Sequence, residues 1–131
     1  MGRIKTKAIT KWFGYTFEPE ECRTGRDFAA FARNLKSEFS AQLKDSGCII
    51  TIYIRGYFYI SGFIHNAVTG KYLYFSTEDV RYSPNWYKNI LIREARNDHD
   101  YKGGYNRYTS LENFCESALK ILQSSHSEFA A

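Results

Sequence analysis

Proline is nearly absent from this chain, and several other features are missing with it. Only Pro19 and Pro84 occur in 131 residues, which excludes a proline-rich linker or recognition stalk. Three cysteines, Cys22, Cys48 and Cys115, are an odd number with no CxxC spacing. That argues against a disulfide framework and fits a reducing, cytoplasmic setting. A metal site assembled from all three thiols and a histidine is the lesser reading. No apolar run is long enough to span a bilayer and no signal peptide is read in the sequence, so neither a membrane nor secretion is expected. Met1-Gly2-Arg3-Ile4-Lys5-Thr6 meets the short, permissive myristoylation pattern, which chance alone often produces. Repeats, low-complexity segments, nucleophile elbows and Walker or dinucleotide glycine spacings are missing too. Catalysis therefore ranks below binding, and neither a cofactor nor a small-molecule substrate is expected.

What the chain has in excess is aromatic residues. They make up 18% of it, with Tyr 11 and Phe 10, against 44% hydrophobic and 24% charged residues. The composition is globular, the length suits one domain, and the aromatic share exceeds what one core needs. The net charge is +4. Residues 1–17 carry Arg3, Lys5, Lys7 and Lys11 without an acid, whereas residues 110–131 carry one base and three acids. A basic N-terminal segment and the basic stretch 83–109 could meet on one face and attract phosphate; the plainer reading is a solvated surface.

The expected fold is α+β. Residues 4–17 read as an N-terminal strand ended by Glu18-Pro19-Glu20. Phe28, Phe31, Ala32, Leu35, Phe39 and Leu43 recur at helical spacing and predict a helix over about 26–44, with Thr24 and Asp27 at its start and Gly47 at its exit. Residues 48–56, 57–66 and 71–77 predict an antiparallel meander, turned at Gly56 and again between Asn66 and Gly70. Ser83-Pro84 opens a predicted helix over about 84–96. A polar loop spans 97–108, and Thr109 with Glu112 forms a capping box for a last helix over about 110–123.

Strand alternation sorts the meander into two faces. Cys48, Ile50, Ile52, Ile54, Phe58, Ile60, Ile64, Leu73 and Phe75 make a dry face for the helix at 26–44 to cover. The opposite face presents Tyr53, Arg55, Tyr57, Tyr59, Tyr72 and Tyr74, the candidate contact surface, with Lys5, Lys7, Arg81, Lys102 and Arg107 as basic flanks. Tyrosine rings beside a guanidinium suit base stacking with phosphate contact, and equally the hot spots of a protein interface. Burial of this face beneath the C-terminal helices is the competing reading. Gly103-Gly104 reads as a turn needing positive φ, or less readily as a phosphate-approaching loop. Asp98-His99-Asp100 reads as a solvated loop, or less readily as a metal or acid–base cluster.

Five blocks carry a resemblance: Tyr59-Ile60-Ser61-Gly62-Phe63-Ile64, Gly70-Lys71-Tyr72-Leu73-Tyr74-Phe75-Ser76, Asp79-Val80-Arg81-Tyr82, Trp86-Tyr87-Lys88-Asn89-Ile90-Leu91 and Asp100-Tyr101-Lys102-Gly103-Gly104. Together, over about residues 59–114, they resemble small accessory proteins of plasmids and integrative conjugative elements of Gram-positive bacteria. That group includes anti-CRISPR inhibitors of type II effector nucleases. The resemblance implies stoichiometric inhibition by docking on an effector nuclease protein or its guide RNA, and carries no assigned site residues. The alternative is a nucleic-acid-binding accessory factor for transfer or replication of the element.

Overall fold

The fold was obtained as a computed structural model whose described residues are 26–54, 59–78, 88–127 and 129; the side chains of 26–31 and 54 are also left undescribed. In chain order the elements are α1 (Arg26–Gln42), β1 (Cys48–Ile54), β2 (Ile60–Asn66), β3 (Tyr72–Thr77), β4 (Ile90–Ala95), β5 (Arg107–Thr109) and α2 (Phe114–Leu122). The strands form one antiparallel sheet in the order β1-β2-β3-β4-β5. The α+β class expected from the sequence is present. The N-terminal strand at 4–17, the turn at Gly56 and the strand ends 55–58 lie outside the described residues.

The register puts the expected dry face together. Ile50 pairs with Ile64 and Ile64 with Leu73, so three branched side chains cross the sheet in one row. All three are buried, as are Ile60 and Phe75, while Cys48 and Ile52 are partly buried against them. Period-two alternation of β-branched residues produces such a face because successive side chains leave the pleat on opposite sides.

Both helices cover this face. Leu35, Phe39 and Leu43, four residues apart, line up along α1 and its exit. Phe114, Cys115, Ala118, Leu119 and Leu122 form the buried stripe of α2. Their meeting point is aromatic. Phe39 and Phe114 stack with centroids 4.4 Å apart, and Phe75 of β3 stands nearly edge-on to both, at 6.5 and 5.2 Å. Edge-on and offset rings match the quadrupoles, adding about 0.5–1.5 kcal/mol per pair beyond area burial.

Gly62 creates room for this arrangement. It lies opposite both Ile52 and Phe75, in the middle of the dry face. A β-carbon there would come within 2.7–2.9 Å of the Phe75 ring and would also strike the Thr51 carbonyl.

The C-terminal end of α2 is held by the β2–β3 turn. Buried Asn66 donates from Nδ2 to the Leu122 carbonyl at 3.0 Å, and its Oδ1 accepts from the Val68 and Thr69 amides at 2.9 and 3.3 Å. Thr69 Oγ1 donates to the same carbonyl at 2.9 Å, and Lys71 Nζ donates to Ile121 O at 3.2 Å and to His126 O. Three side chains thus satisfy carbonyls that a helix end leaves open, and the lysine charge suits that end of the dipole.

Three expectations need correction. The helix predicted over about 84–96 is a strand where it is described: Ile90–Ala95 is β4, paired with β3. Ile90, Ile92 and Glu94 face the helices while Leu91, Arg93 and Ala95 face away; the buried glutamate disguises a period-two pattern as an amphipathic turn. The loop predicted over 97–108 ends in β5, which begins at Arg107. The last helix begins at Phe114 rather than about 110, so Asn113 and not Thr109 stands at its N-cap. Thr109 belongs to β5 and its Oγ1 lies 2.9 Å from Ser117 Oγ, while the N-cap Asn113 makes no side-chain capping bond.

Gly62→Ala is expected to lower stability by about 2 kcal/mol, within the range for overpacking a closed core, read as a reduced urea midpoint at unchanged slope. An unchanged midpoint would show that Phe75 does not need the space.

Candidate functional site: the aromatic face and its loop

The face turned away from both described helices is assembled by cross-strand pairing. Phe63 lies opposite Tyr74, His65 opposite Tyr72, and Tyr74 opposite Arg93. Pairing at this distance lets rings on neighbouring strands touch. His65 and Tyr72 stack almost parallel, with centroids 4.2 Å apart and planes 12° apart. The Arg93 guanidinium lies 4.5 Å above the Tyr74 ring, a cation–π geometry.

The 97–106 loop folds back onto this face. Tyr101 meets Phe63 and Tyr74 nearly edge-on, at 5.5 and 5.7 Å, and Phe63 and Tyr74 lie 5.3 Å apart. Phe63 is consequently buried on the side away from the helices. Arg93 fastens the loop at two places: Nη1 donates to Asn106 Oδ1 at 3.2 Å and Nη2 to the Tyr101 carbonyl.

Asp100 organises the same loop from within. Its carboxylate accepts from the Arg96 amide at 2.9 Å and the Lys102 amide at 3.1 Å, with the Arg96 guanidinium 3.8 Å away. Its pKa is lowered, first by the Arg96 amide and then by the amides of Lys102 and Gly103 and the Arg96 charge, against an opposing effect of burial. A β-carbon on Gly103 would collide with this carboxylate and lie 2.8 Å from the Phe129 ring, and Gly104 takes φ 61°. Gly104 thus takes the positive φ of a turn, and the anion that the Gly103 amide meets is the chain's own Asp100. Asp98 pairs with His99 across 3.2 Å at the exposed rim, and no group of three metal-ligating side chains occurs among the described residues.

The candidate contact residues fall into distinct places. Tyr53 and Tyr59 are 37% and 46% exposed. Tyr72 and Tyr74 are half-buried, engaged by His65 and by Arg93 with Tyr101. Lys102 is exposed beside Tyr101 in the loop. Arg107 is exposed on β5, where its pairing with Ile92 assigns it to the helix side of the sheet. Arg55, Tyr57, Lys5, Lys7 and Arg81 lie outside the described residues. Sequence reading missed Arg93 and Tyr101 as members of the face, and Tyr105 and Tyr108, which are 74% and 63% exposed. The repeated tyrosines of the loop were the available signal; Arg93 could be placed only once 90–95 is a strand.

Cys115 is buried on the opposite side, and burial, aided by nearby Cys48, pushes its thiol from 9.0 up to about 12. Cys48 and Cys115 are both free thiols, and Cys22 lies outside the described residues. No helix among the described residues is long and apolar enough to cross a membrane. Compared with known proteins, the chain matches no family model, no curated protein and no solved structure.

Two outcomes are expected. Asp100→Ala should cost about 1 kcal/mol through loss of charge-assisted bonds at a surface loop, with faster hydrogen exchange at the Arg96, Lys102 and Gly103 amides and little change in the core. Because the Asp100 pKa is lowered, its contribution is complete above its ordinary value of 3.8 and disappears as pH falls through the lowered value. The Cys115 thiol has the opposite sense: the unfolded chain ionises first, so stability should decline as pH rises from about 9 towards 12. A Cys115→Ala variant should lack that component of the alkaline decline.

Proposed function

We propose that this chain is a non-catalytic binding protein whose aromatic face docks on another macromolecule. The observation that carries the reading is the placement of both described helices on the other side of the sheet, with Tyr53 and Tyr59 exposed. Tyrosine contributes a large rigid contact area and a polar tip at small entropic cost, which is why it recurs at interface hot spots. Arg93 over Tyr74 and Lys102 beside Tyr101 set positive charge next to the rings.

The partner we propose is a type II effector nuclease, bound through its protein surface or its guide RNA, with the chain acting as a stoichiometric inhibitor carried by a mobile genetic element. The sign of the charge favours this mode over imitation of DNA: a chain of net +4 is a poor mimic of a polyanion in the positively charged channel of such a nuclease. Contact with RNA or with an acidic protein patch fits better. The Arg93 guanidinium over Tyr74, with Lys102 next to Tyr101 in the chain, also favours a second reading, a nucleic-acid-binding accessory factor of the same element.

Co-purification with a guide-loaded effector nuclease tests the first reading. Retention on the nuclease at one-to-one stoichiometry is expected, and the Tyr53→Ala, Tyr59→Ala double variant should weaken it at least about tenfold, a typical loss for two hot-spot side chains. Binding to labelled single-stranded RNA and DNA that falls steeply with salt, without retention on the nuclease, would instead select the accessory factor. Absence of both removes the proposal.

A further inference from the structure

The two edges of the sheet are built differently. β5 has three residues, and one of them is the exposed Arg107. A short strand carrying charge is a common protection of a sheet edge. β1 has seven residues, Cys48-Ile49-Ile50-Thr51-Ile52-Tyr53-Ile54, with no charge, proline or glycine, and its register with β2 runs unbroken from Cys48 to Ile54. Among the described residues β2 is the one strand it pairs with, and β1 ends the sheet. A long, flat, uncharged edge of this kind is a template for a further strand.

What that strand is follows from the order of residues in β1, which is self-complementary about Thr51. The Thr51 carbonyl is turned inward, where a β-carbon on Gly62 of β2 would strike it. Backbone groups alternate in direction along an antiparallel strand, so those of Ile50 and Ile52 point to the outer edge. On the aromatic face Ile49 and Tyr53 flank Thr51, at 66% and 37% exposure, and Thr51 is exposed between them. On the helix face Ile50 and Ile52 flank it, Ile50 buried and Ile52 partly buried at the margin of the core. A second β1 laid antiparallel, Thr51 against Thr51, sets Ile50 opposite Ile52 and Ile49 opposite Tyr53, each twice. Aromatic against β-branched and threonine against threonine are favourable cross-strand pairs. The contact uses the exposed part of the Tyr53 ring and asks nothing of its hydroxyl. Two chains of net +4 meet along a strip without charge, so repulsion between them is not focused there.

We propose that β1 pairs with β1 of a second copy about a two-fold axis through Thr51, joining two five-stranded sheets into one continuous sheet. The interface is isologous, the commonest way a chain closes on itself. The axis stands normal to the sheet. The helices of both copies therefore lie on one side and both aromatic faces lie side by side on the other. A seven-residue strand spans about 24 Å, and one strand edge is a small contact beside stable interfaces, so micromolar association is expected.

Sedimentation velocity of the full chain from low micromolar to millimolar concentration tests the assignment. A monomer–dimer equilibrium is expected. Thr51→Lys, at an exposed position, sets two like charges against each other on the axis and should weaken the dimer at least about tenfold. Tyr108→Lys, at the opposite edge of the sheet, should leave it unchanged. A chain with Ile49→Lys and Tyr53→Lys and a chain with Ile49→Glu and Tyr53→Glu should each be monomeric alone and dimerise when mixed, because every lysine then faces a glutamate. That mixture carries the test if Thr51→Lys does not fold, as judged by thermal unfolding. A monomer at every concentration, association that runs on past the dimer, a dimer indifferent to Thr51→Lys or equally weakened by Tyr108→Lys, or charge variants that stay monomeric when mixed each overturn the proposal. The measurement contains neither nuclease nor nucleic acid, so its failure leaves the docking of the aromatic face standing, and failure of that docking leaves the dimer.

Discussion

The contact among Phe39, Phe75 and Phe114 decides which side of the sheet is spent on the core. One ring comes from each helix and one from the central strand, so α1 and α2 meet each other and the sheet at a single point. Two helices covering the same face cannot also cover the other. The missing side chain of Gly62 is part of the same constraint, because the Phe75 ring occupies the space its β-carbon would need. The Asn66, Thr69 and Lys71 side chains then fix the end of α2 to the β2–β3 turn. Together these contacts hold α2 against the sheet and leave the far face to be finished by other means.

That far face is finished by charge and by a loop. Arg93 places its guanidinium over Tyr74 and reaches two atoms of the 97–106 segment. Asp100 draws amides of the same segment inward. The cation stabilises a ring and the anion stabilises a turn; between them Tyr101 closes over Phe63. A single loop thus separates the face into a filled centre and more open tyrosines elsewhere.

Much of this was legible in the sequence, and the failures are instructive in physical terms. β1 to β3 could be read because isoleucine alternates with polar or aromatic residues through Ile50, Ile52, Ile60 and Ile64. β4 could not, because Glu94 occupies a core-facing position and Arg93 an aromatic-facing one, so polarity no longer reports facing. β5 has three residues, too few for any period to emerge. The Thr109–Glu112 pair has the spacing of a capping box, yet pairing with Ile90 draws Thr109 into the sheet; tertiary pairing overrides a local signal there. The capping of α2 by Asn66 joins residues 56 positions apart, which local reading cannot anticipate. The tyrosines of the face were visible by alternation, but their engagement by Tyr101 and Arg93 depends on a loop whose course is defined by hydrogen bonds from Arg93 and to Asp100.

A filled centre constrains the contact proposed for this face. One side of the Tyr74 ring carries Arg93 and its edge meets Tyr101, so an incoming ring would have to displace one of them. Tyr53 on β1 and Tyr108 on β5, at the two edges of the sheet, are both exposed. Four inter-strand steps separate those strands, which at the usual spacing of about 4.8 Å amounts to roughly 19 Å. A small ligand cannot touch both ends at once. A protein surface of standard interface size can, and so can several nucleotides of a single strand. The geometry of the aromatic face therefore favours an extended partner for the proposed contact.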